Sequence, residues 1–186
     1  MSDQPPISRN VPGGSAAAHE PTVTGVEIKT SSGICDAALV HPSGDGHWPG
    51  VVLFADAFGY CMGGPMSMRA AAAMPNRVGA GASYHGGGLV TDQPDSPHLL
   101  VSRIKARYYF GVAANDDAAD PEAKTKLREA FDGAELSAKI EVYEGCLHGW
   151  CVKDMPLSPD GKPIYNEAQA ERAWNELVAL FKQSLV

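Results

Sequence analysis

The stretch that decides the fold is Gly59-Tyr60-Cys61-Met62-Gly63-Gly64, or GYCMGG. It lies between a short apolar run, residues 50–55, and a segment rich in Met and Ala, residues 65–74. A turn of this kind between a strand and a helix, with glycine on both sides of one central residue, is typical of a nucleophile elbow. Glycines are needed because the adjoining strand and helix leave no space for a Cβ atom. The pattern predicts Cys61 at the top of the turn, as a nucleophile in the place of the usual serine.

The helix predicted from Pro65 would present its N-terminal end to this thiol. The positive end of the helix dipole favours the thiolate, which is the reactive form of cysteine. The amide of Met62 would point to the same spot and supply one oxyanion-hole donor. A five-residue pattern is a weak signal by itself, and the alternative is a tight connection that contains a buried cysteine without a catalytic role.

Strands and helices alternate on both sides of the elbow. An opening hairpin is predicted from residues 23–28 and 34–41, followed by a loop and the buried strand 50–55. Alternation of this kind predicts an α/β fold, with a mostly parallel sheet and helices on both faces. After the elbow, the sequence predicts helices over residues 65–74, 121–131 and 166–185, and strands over residues 77–84, 106–112 and 138–143.

Two further polar residues follow predicted strands, as the partners of a nucleophile would. Asp116 comes after the strand that ends at residue 112, and His148 comes after the strand that ends at residue 143. The order nucleophile, acid, histidine, with each residue on a loop at the carboxyl end of a strand, is that of α/β-hydrolase triads. Asp117 is an alternative acid, and each aspartate could also be a solvated loop residue or a helix cap. We predict a Cys61, Asp116 and His148 triad.

Five segments together resemble the dienelactone hydrolase family of α/β-hydrolases. The resemblance runs from residue 23 to the C-terminus, and it implies that Cys61 is the nucleophile, His148 the general base and Asp116 the residue that orients His148. It also implies that Asp56 contacts the resting thiol. The segments are LFADAFG at 53–59, GYCMGG at 59–64, AAND at 113–116, YEGCLHG at 143–149 and YNEAQAERAW at 165–174.

The sequence departs from the family at the elbow itself. In the family, helices and a further strand separate the motifs that correspond to LFADAFG and GYCMGG, whereas here the two motifs share Gly59. The resemblance therefore implies an α/β-hydrolase-like fold that is truncated in its middle. The absent segment carries substrate-pocket residues in the family, and Val152 stands where a dienelactone hydrolase would use an arginine.

Composition sets the remaining expectations. With 186 residues, we expect one domain over residues 21–186 after a disordered tail, residues 1–20. A formal net charge of −7 without a basic run argues against nucleic acid and anionic membrane as partners. No apolar stretch is long enough to span a membrane and no signal peptide is evident, so we expect a cytoplasmic protein with reduced thiols.

Cofactor sites are not predicted either. Cys146, His148 and Cys151 form a C-x-H-x-x-C pattern, but three ligands without a second cluster are poor evidence for zinc. The sequence thus predicts a hydrolase of small carboxylic esters or lactones that needs no metal or other cofactor and acts through a thioester at Cys61. The alternative is a catalytically impaired deletion form that acts as an inert or oligomerising scaffold, with self-association hiding apolar surface.

Overall fold

The computed structural model describes residues 22–30, 33–41 and 61–184. The chain divides into two compact units, Met1–Trp48 and Pro49–Val186. The predicted tail 1–20, the predicted strand 50–55 and Asp56 lie outside the described residues. The expectation of one domain over residues 21–186 stays a prediction.

The first unit contains an antiparallel hairpin. Strand β1, Thr22–Thr30, pairs with strand β2, Gly33–His41, so that Thr22 lies opposite His41 and Thr30 lies opposite Gly33. Alternating β-branched residues and the predicted turn near residue 32 explain this pairing. The predicted opening hairpin is confirmed.

The described part of the second unit contains a parallel sheet of three strands, β3 (Ala80–Tyr84), β4 (Arg107–Ala113) and β5 (Ala138–Tyr143), in that order. The central strand β4 is a nearly continuous apolar run, as expected where both faces of a sheet are covered, whereas β5 alternates apolar and charged residues. Its elements in chain order are α1 (Gly63–Ala73), β3 (Ala80–Tyr84), a 3-10 helix (Pro97–Arg103), β4 (Arg107–Ala113), α2 (Ala114–Ala119), α3 (Ala123–Gly133), β5 (Ala138–Tyr143) and α4 (Glu167–Ser184).

Helices cover both faces of this sheet, which confirms the predicted α/β architecture. Alternate residues of β4 point to opposite faces, so Tyr108 and Phe110 enter one core cluster while Tyr109 and Ala113 enter the other. The first cluster packs the sheet against α1, the 3-10 helix and α3, and the second packs it against α4. Among the described helices, none is long and apolar enough to cross a membrane.

Some element boundaries differ from the sequence prediction. Helix α1 begins at Gly63 and not at Pro65, and β3 begins at Ala80 because a turn over residues 74–78 delays it. The 3-10 helix was not predicted. Residues 114–119 were predicted as a loop but form α2, whose first turn carries Asp116 and Asp117 where negative charge stabilises a helix. The loop placement of Asp116 was therefore wrong.

A network of charged and phenolic groups fastens α4 to the sheet. The Tyr109 hydroxyl donates to Glu141 Oε2 at 2.7 Å, and Arg172 Nη2 of α4 lies 3.0 Å from Glu141 Oε1. Lys139 Nζ lies 3.4 Å from the same carboxylate and 2.7 Å from Glu176 Oε1 of α4. Partial burial raises the pKa of Glu141, but the Tyr109 hydrogen bond and the two cations outweigh it, so the pKa of Glu141 lies below its usual 4.5.

This lowered pKa predicts an acid-dependent contribution to stability. A carboxylate with a lowered folded-state pKa stabilises the fold above its unfolded-state pKa, and the contribution is lost as the pH falls through the folded-state pKa. We expect Glu141→Gln to lower the thermal unfolding midpoint at pH 7 by about 2–4 °C. The difference in unfolding midpoint between the parent and the variant should disappear as the pH falls below 4.5, the ordinary pKa of a glutamate.

The matched control is Glu129→Gln, because Glu129 is an exposed glutamate on α3. Its unfolding midpoint should follow the parent at every pH. Thermal melts by circular dichroism across the acidic range would measure all three proteins. A Glu141→Gln midpoint equal to that of the parent at pH 7 would contradict the stabilising role of the network.

Candidate active site

Cys61 lies in a turn immediately before α1. Its side chain is partly buried, while Met62, the N-cap residue of the helix, is 52% exposed. The N–H of Met66 donates to the carbonyl of Met62 at 3.4 Å, which joins this turn to the first turn of the helix. The thiol therefore lies close to the N-terminal end of α1, where the helix dipole favours negative charge.

Close packing between α1 and β3 explains the glycines of this turn. A Cβ atom at Gly64 would collide with the hydroxyl of Ser83, a buried residue of β3, and would lie 3.2 Å from the side chain of Leu89. A Cβ atom at Gly86 would meet the same Ser83 hydroxyl. The predicted close approach is thus present at Gly64, while Gly59 lies outside the described residues.

His148 and Asp116 form a hydrogen-bonded pair at the carboxyl ends of neighbouring strands. Asp116 belongs to α2, which follows β4 directly, and His148 lies in the loop after β5. His148 Nδ1 is 2.8 Å from Asp116 Oδ2, and the two side chains are 31% and 30% exposed. The pair is therefore accessible from solvent on one side.

The backbone around this pair is fixed by two more contacts between the same segments. Asn115 Oδ1 accepts the backbone N–H of His148 at 2.7 Å. The N–H of Ala114 donates to the carbonyl of Cys146 at 2.9 Å. The first turn of α2 and the loop of His148 therefore hold each other in place, which limits the orientations open to the imidazole.

The neighbouring aspartate has a different partner. Both carboxylate oxygens of Asp117 lie 2.6 Å from Nζ of Lys124, at the start of α3. Helical geometry turns successive side chains by about 100°, so Asp116 and Asp117 cannot face the same group. Of the two acids that the sequence left open, Asp116 is the one in contact with His148.

The loop after β3 links the thiol to the histidine. A Cβ atom built on Gly87 would lie 3.6 Å from Cys61 Sγ, so the thiol lies close to this loop. Two residues earlier, the ring of His85 lies 4.6 Å from the ring of His148, centroid to centroid. The loop over residues 85–87 thus contacts both Cys61 and His148, which brings the three candidate residues to one edge of the sheet.

His85 is the site residue that sequence reasoning missed. The sequence predicted only a glycine loop at residues 86–88, although a histidine at the carboxyl end of a strand that continues into glycines was a usable signal. The structure places His85 with its side chain buried, in contact with both His148 and Trp150.

The other cysteines of the second unit lie in less exposed surroundings. Burial raises the pKa of Cys146, and it raises the pKa of Cys151 to about 12. Burial therefore favours the neutral thiol, which is the unreactive form, at both positions. Within residues 22–30, 33–41 and 61–184, no group of three or more His, Cys, Asp or Glu side chains has the arrangement of a metal site.

Comparison with known proteins gives one family and several longer relatives. The model of the Dienelactone hydrolase family matches residues 57–185. "Protein usf" of Aquifex pyrophilus is 25% identical over 127 residues, which are 68% of this chain and 50% of that protein. A protein of Escherichia coli (strain K12) named "Putative carboxymethylenebutenolidase" is 28% identical over 129 residues, which are 67% of this chain and 44% of that protein.

Solved structures share the fold. The crystal structure titled "Putative Dienelactone Hydrolase" from Klebsiella pneumoniae subsp. pneumoniae MGH 78578 superposes with a TM-score of 0.55 at 23% identity. The superposition covers 67% of this chain and 50% of the other. The chain therefore spans about half the length of the relatives that it matches. The family match over residues 57–185 includes Cys61, Asp116 and His148.

Proposed function

Because this chain belongs to the dienelactone hydrolase family, we propose that it hydrolyses small carboxylic esters or lactones at the site just described. The observation that carries the proposal is the 2.8 Å contact between His148 Nδ1 and Asp116 Oδ2, at the same sheet edge as Cys61. A histidine oriented by a carboxylate beside a thiol at a helix N-terminus is the arrangement that nucleophilic acyl transfer needs.

Asp116 sets the tautomer of His148 in this mechanism. Its carboxylate accepts a hydrogen bond from the N–H of Nδ1 and stays ionised. The lone pair of the imidazole therefore lies on Nε2, which acts as the general base. Asp116 also stabilises the imidazolium that forms when Nε2 takes a proton. The amide of Asn115 holds the backbone of His148 while the ring changes charge.

Cys61 performs the acylation step. His148 Nε2 takes the thiol proton, and the sulfur attacks the carbonyl carbon of the ester to give a tetrahedral oxyanion. The backbone N–H of Met62 donates to this oxyanion, and the positive end of α1 adds to its stabilisation. The bond to the alkoxy oxygen then breaks, His148 returns the proton to the leaving alcohol, and a thioester at Cys61 remains.

Water completes the reaction. His148 Nε2 takes one proton from a water molecule, whose oxygen attacks the thioester carbonyl carbon. The carbon–sulfur bond breaks, the proton returns to Cys61 and the carboxylic acid leaves. These steps use only side chains and water, and the proposal involves no metal or organic cofactor.

The proposed substrates are small and largely apolar around the acyl group. Met62 at the N-cap of α1 and Met66 in its first turn lie near the nucleophile in the chain, and their side chains are 52% and 39% exposed. The name of the Escherichia coli relative indicates a butenolide, which is a cyclic ester. Since Val152 replaces the family arginine, we propose uncharged esters and lactones as the better substrates.

A scaffold that has lost catalysis is the second candidate, favoured by the observation that the matched segment is only about half of each relative. An esterase assay distinguishes the hydrolase from the scaffold. We expect the purified protein to hydrolyse p-nitrophenyl acetate and Cys61→Ala to lose this activity while it keeps its thermal unfolding midpoint, because the partly exposed thiol contributes little packing. Cys61→Ser should keep only weak activity, since the serine hydroxyl has a much higher pKa. Equal rates for the parent and Cys61→Ala would refute the assignment.

The two aspartates give a matched pair of variants. Asp116→Asn should lower kcat by about 10²–10⁴-fold, because an amide cannot support the His148 tautomer and its cation as the carboxylate does. Asp117→Asn should lose its ion pair with Lys124 and change kcat by less than about threefold, as expected for a partly exposed salt bridge. Steady-state rates with p-nitrophenyl acetate measure the kcat of both variants. A larger loss in Asp117→Asn would reverse the assignment of the acid.

A further inference from the structure

A row of rings runs from the core of the second unit to the candidate histidine. Tyr143 at the end of β5 stacks on Trp150 with ring centroids 4.6 Å apart. Trp150 meets the edge of His85 at 5.4 Å with an interplanar angle of 74°. His85 in turn meets His148 at 4.6 Å and 62°. Trp150, Tyr143 and His85 are at most 1% exposed, so His148 is the solvent-facing end of a buried row.

His85 is held in place by an unusual backbone conformation. Its φ of +42° lies in the left-handed region, which few residues with a side chain adopt and which histidine tolerates better than most. Its N–H donates to the carbonyl of Gly111 in β4 at 2.8 Å, which anchors the start of the loop to the sheet. The same loop then reaches Cys61 at Gly87. The backbone that fixes the His85 ring is therefore the backbone that contacts the thiol.

We infer that His85 is a positioning residue, whose ring holds the plane of the His148 imidazole so that Nδ1 stays on Asp116 and Nε2 faces the substrate. This inference rests on the proposed function. A single hydrogen bond leaves an imidazole some freedom to tilt about χ1 and χ2, and a ring packed against its face or edge restricts this motion. His85 does so from the buried side, while the other side of His148 stays open to solvent.

Two substitutions distinguish the role of the His85 ring from the role of its backbone conformation. Asparagine tolerates the left-handed conformation but has no ring, and phenylalanine supplies a ring without imidazole nitrogens. His85→Asn should lower kcat for p-nitrophenyl acetate by about tenfold or more while KM changes less, because ground-state binding does not depend on the orientation of His148. His85→Phe should recover most of the lost kcat. Thermal melts give the folded fraction of each variant, to which the rates are normalised.

A second readout does not depend on esterase activity. The proton on His148 Nδ1, held by Asp116, should give a downfield resonance in the proton NMR spectrum of the parent, identified by its disappearance in Asp116→Asn. It should weaken or vanish in His85→Asn and persist in His85→Phe. If the parent has no esterase activity but the resonance behaves in this way, the positioning role stands and the proposed function fails.

Two results would overturn the inference itself. An unchanged resonance and unchanged kcat in folded His85→Asn would mean that the ring does not position His148. Equal losses of kcat and of the resonance in His85→Asn and folded His85→Phe would mean that a nitrogen of His85, and not its ring contact, supports the site.

Discussion

The contact between α2 and the loop of His148 is the interaction on which the candidate site depends. Parallel pairing of β4 and β5 brings the carboxyl ends of both strands to the same edge of the sheet. Three consecutive residues then contact the histidine loop. The N–H of Ala114 donates to the carbonyl of Cys146. The side-chain oxygen of Asn115 accepts the backbone N–H of His148, and the carboxylate of Asp116 contacts Nδ1 of the same residue. Consecutive residues of one helical turn thus fix both the path of the histidine loop and the direction of its ring.

Much of this arrangement follows from sequence because it depends on local patterns and on strand order. Glycines flanking Cys61 predicted the turn before α1, and the apolar or alternating patterns over residues 77–84, 106–112 and 138–143 predicted the strands of the described parallel sheet. Since parallel strands end at one edge, the positions of Asp116 and His148 after their strands were enough to predict that the two side chains meet. The contact at 2.8 Å agrees with that expectation.

The rest could not be read from sequence because it depends on packing between distant segments. The resemblance favoured Asp116 over Asp117, but the partners of the two carboxylates depend on helix α2, which directs Asp116 to His148 and Asp117 to Lys124 of α3. His85 carries no motif, and its importance follows from a left-handed backbone and from rings that lie 63 and 65 positions further along the chain. The role of Asp56 stays a prediction, because Asp56 lies outside the described residues.

The proposed reaction depends on a covalent thioester that forms at Cys61 during turnover. Rapid acid quenching of the protein with p-nitrophenyl acetate, followed by intact-mass and peptide mass spectrometry, tests for it directly. We expect a single acetyl group on Cys61 within the first turnover, absent from Cys61→Ala and longer-lived in His148→Ala, which lacks the base for deacylation. Hydrolysis without any acetylated Cys61, or an acetyl group that forms equally on Cys146 or Cys151, would contradict it.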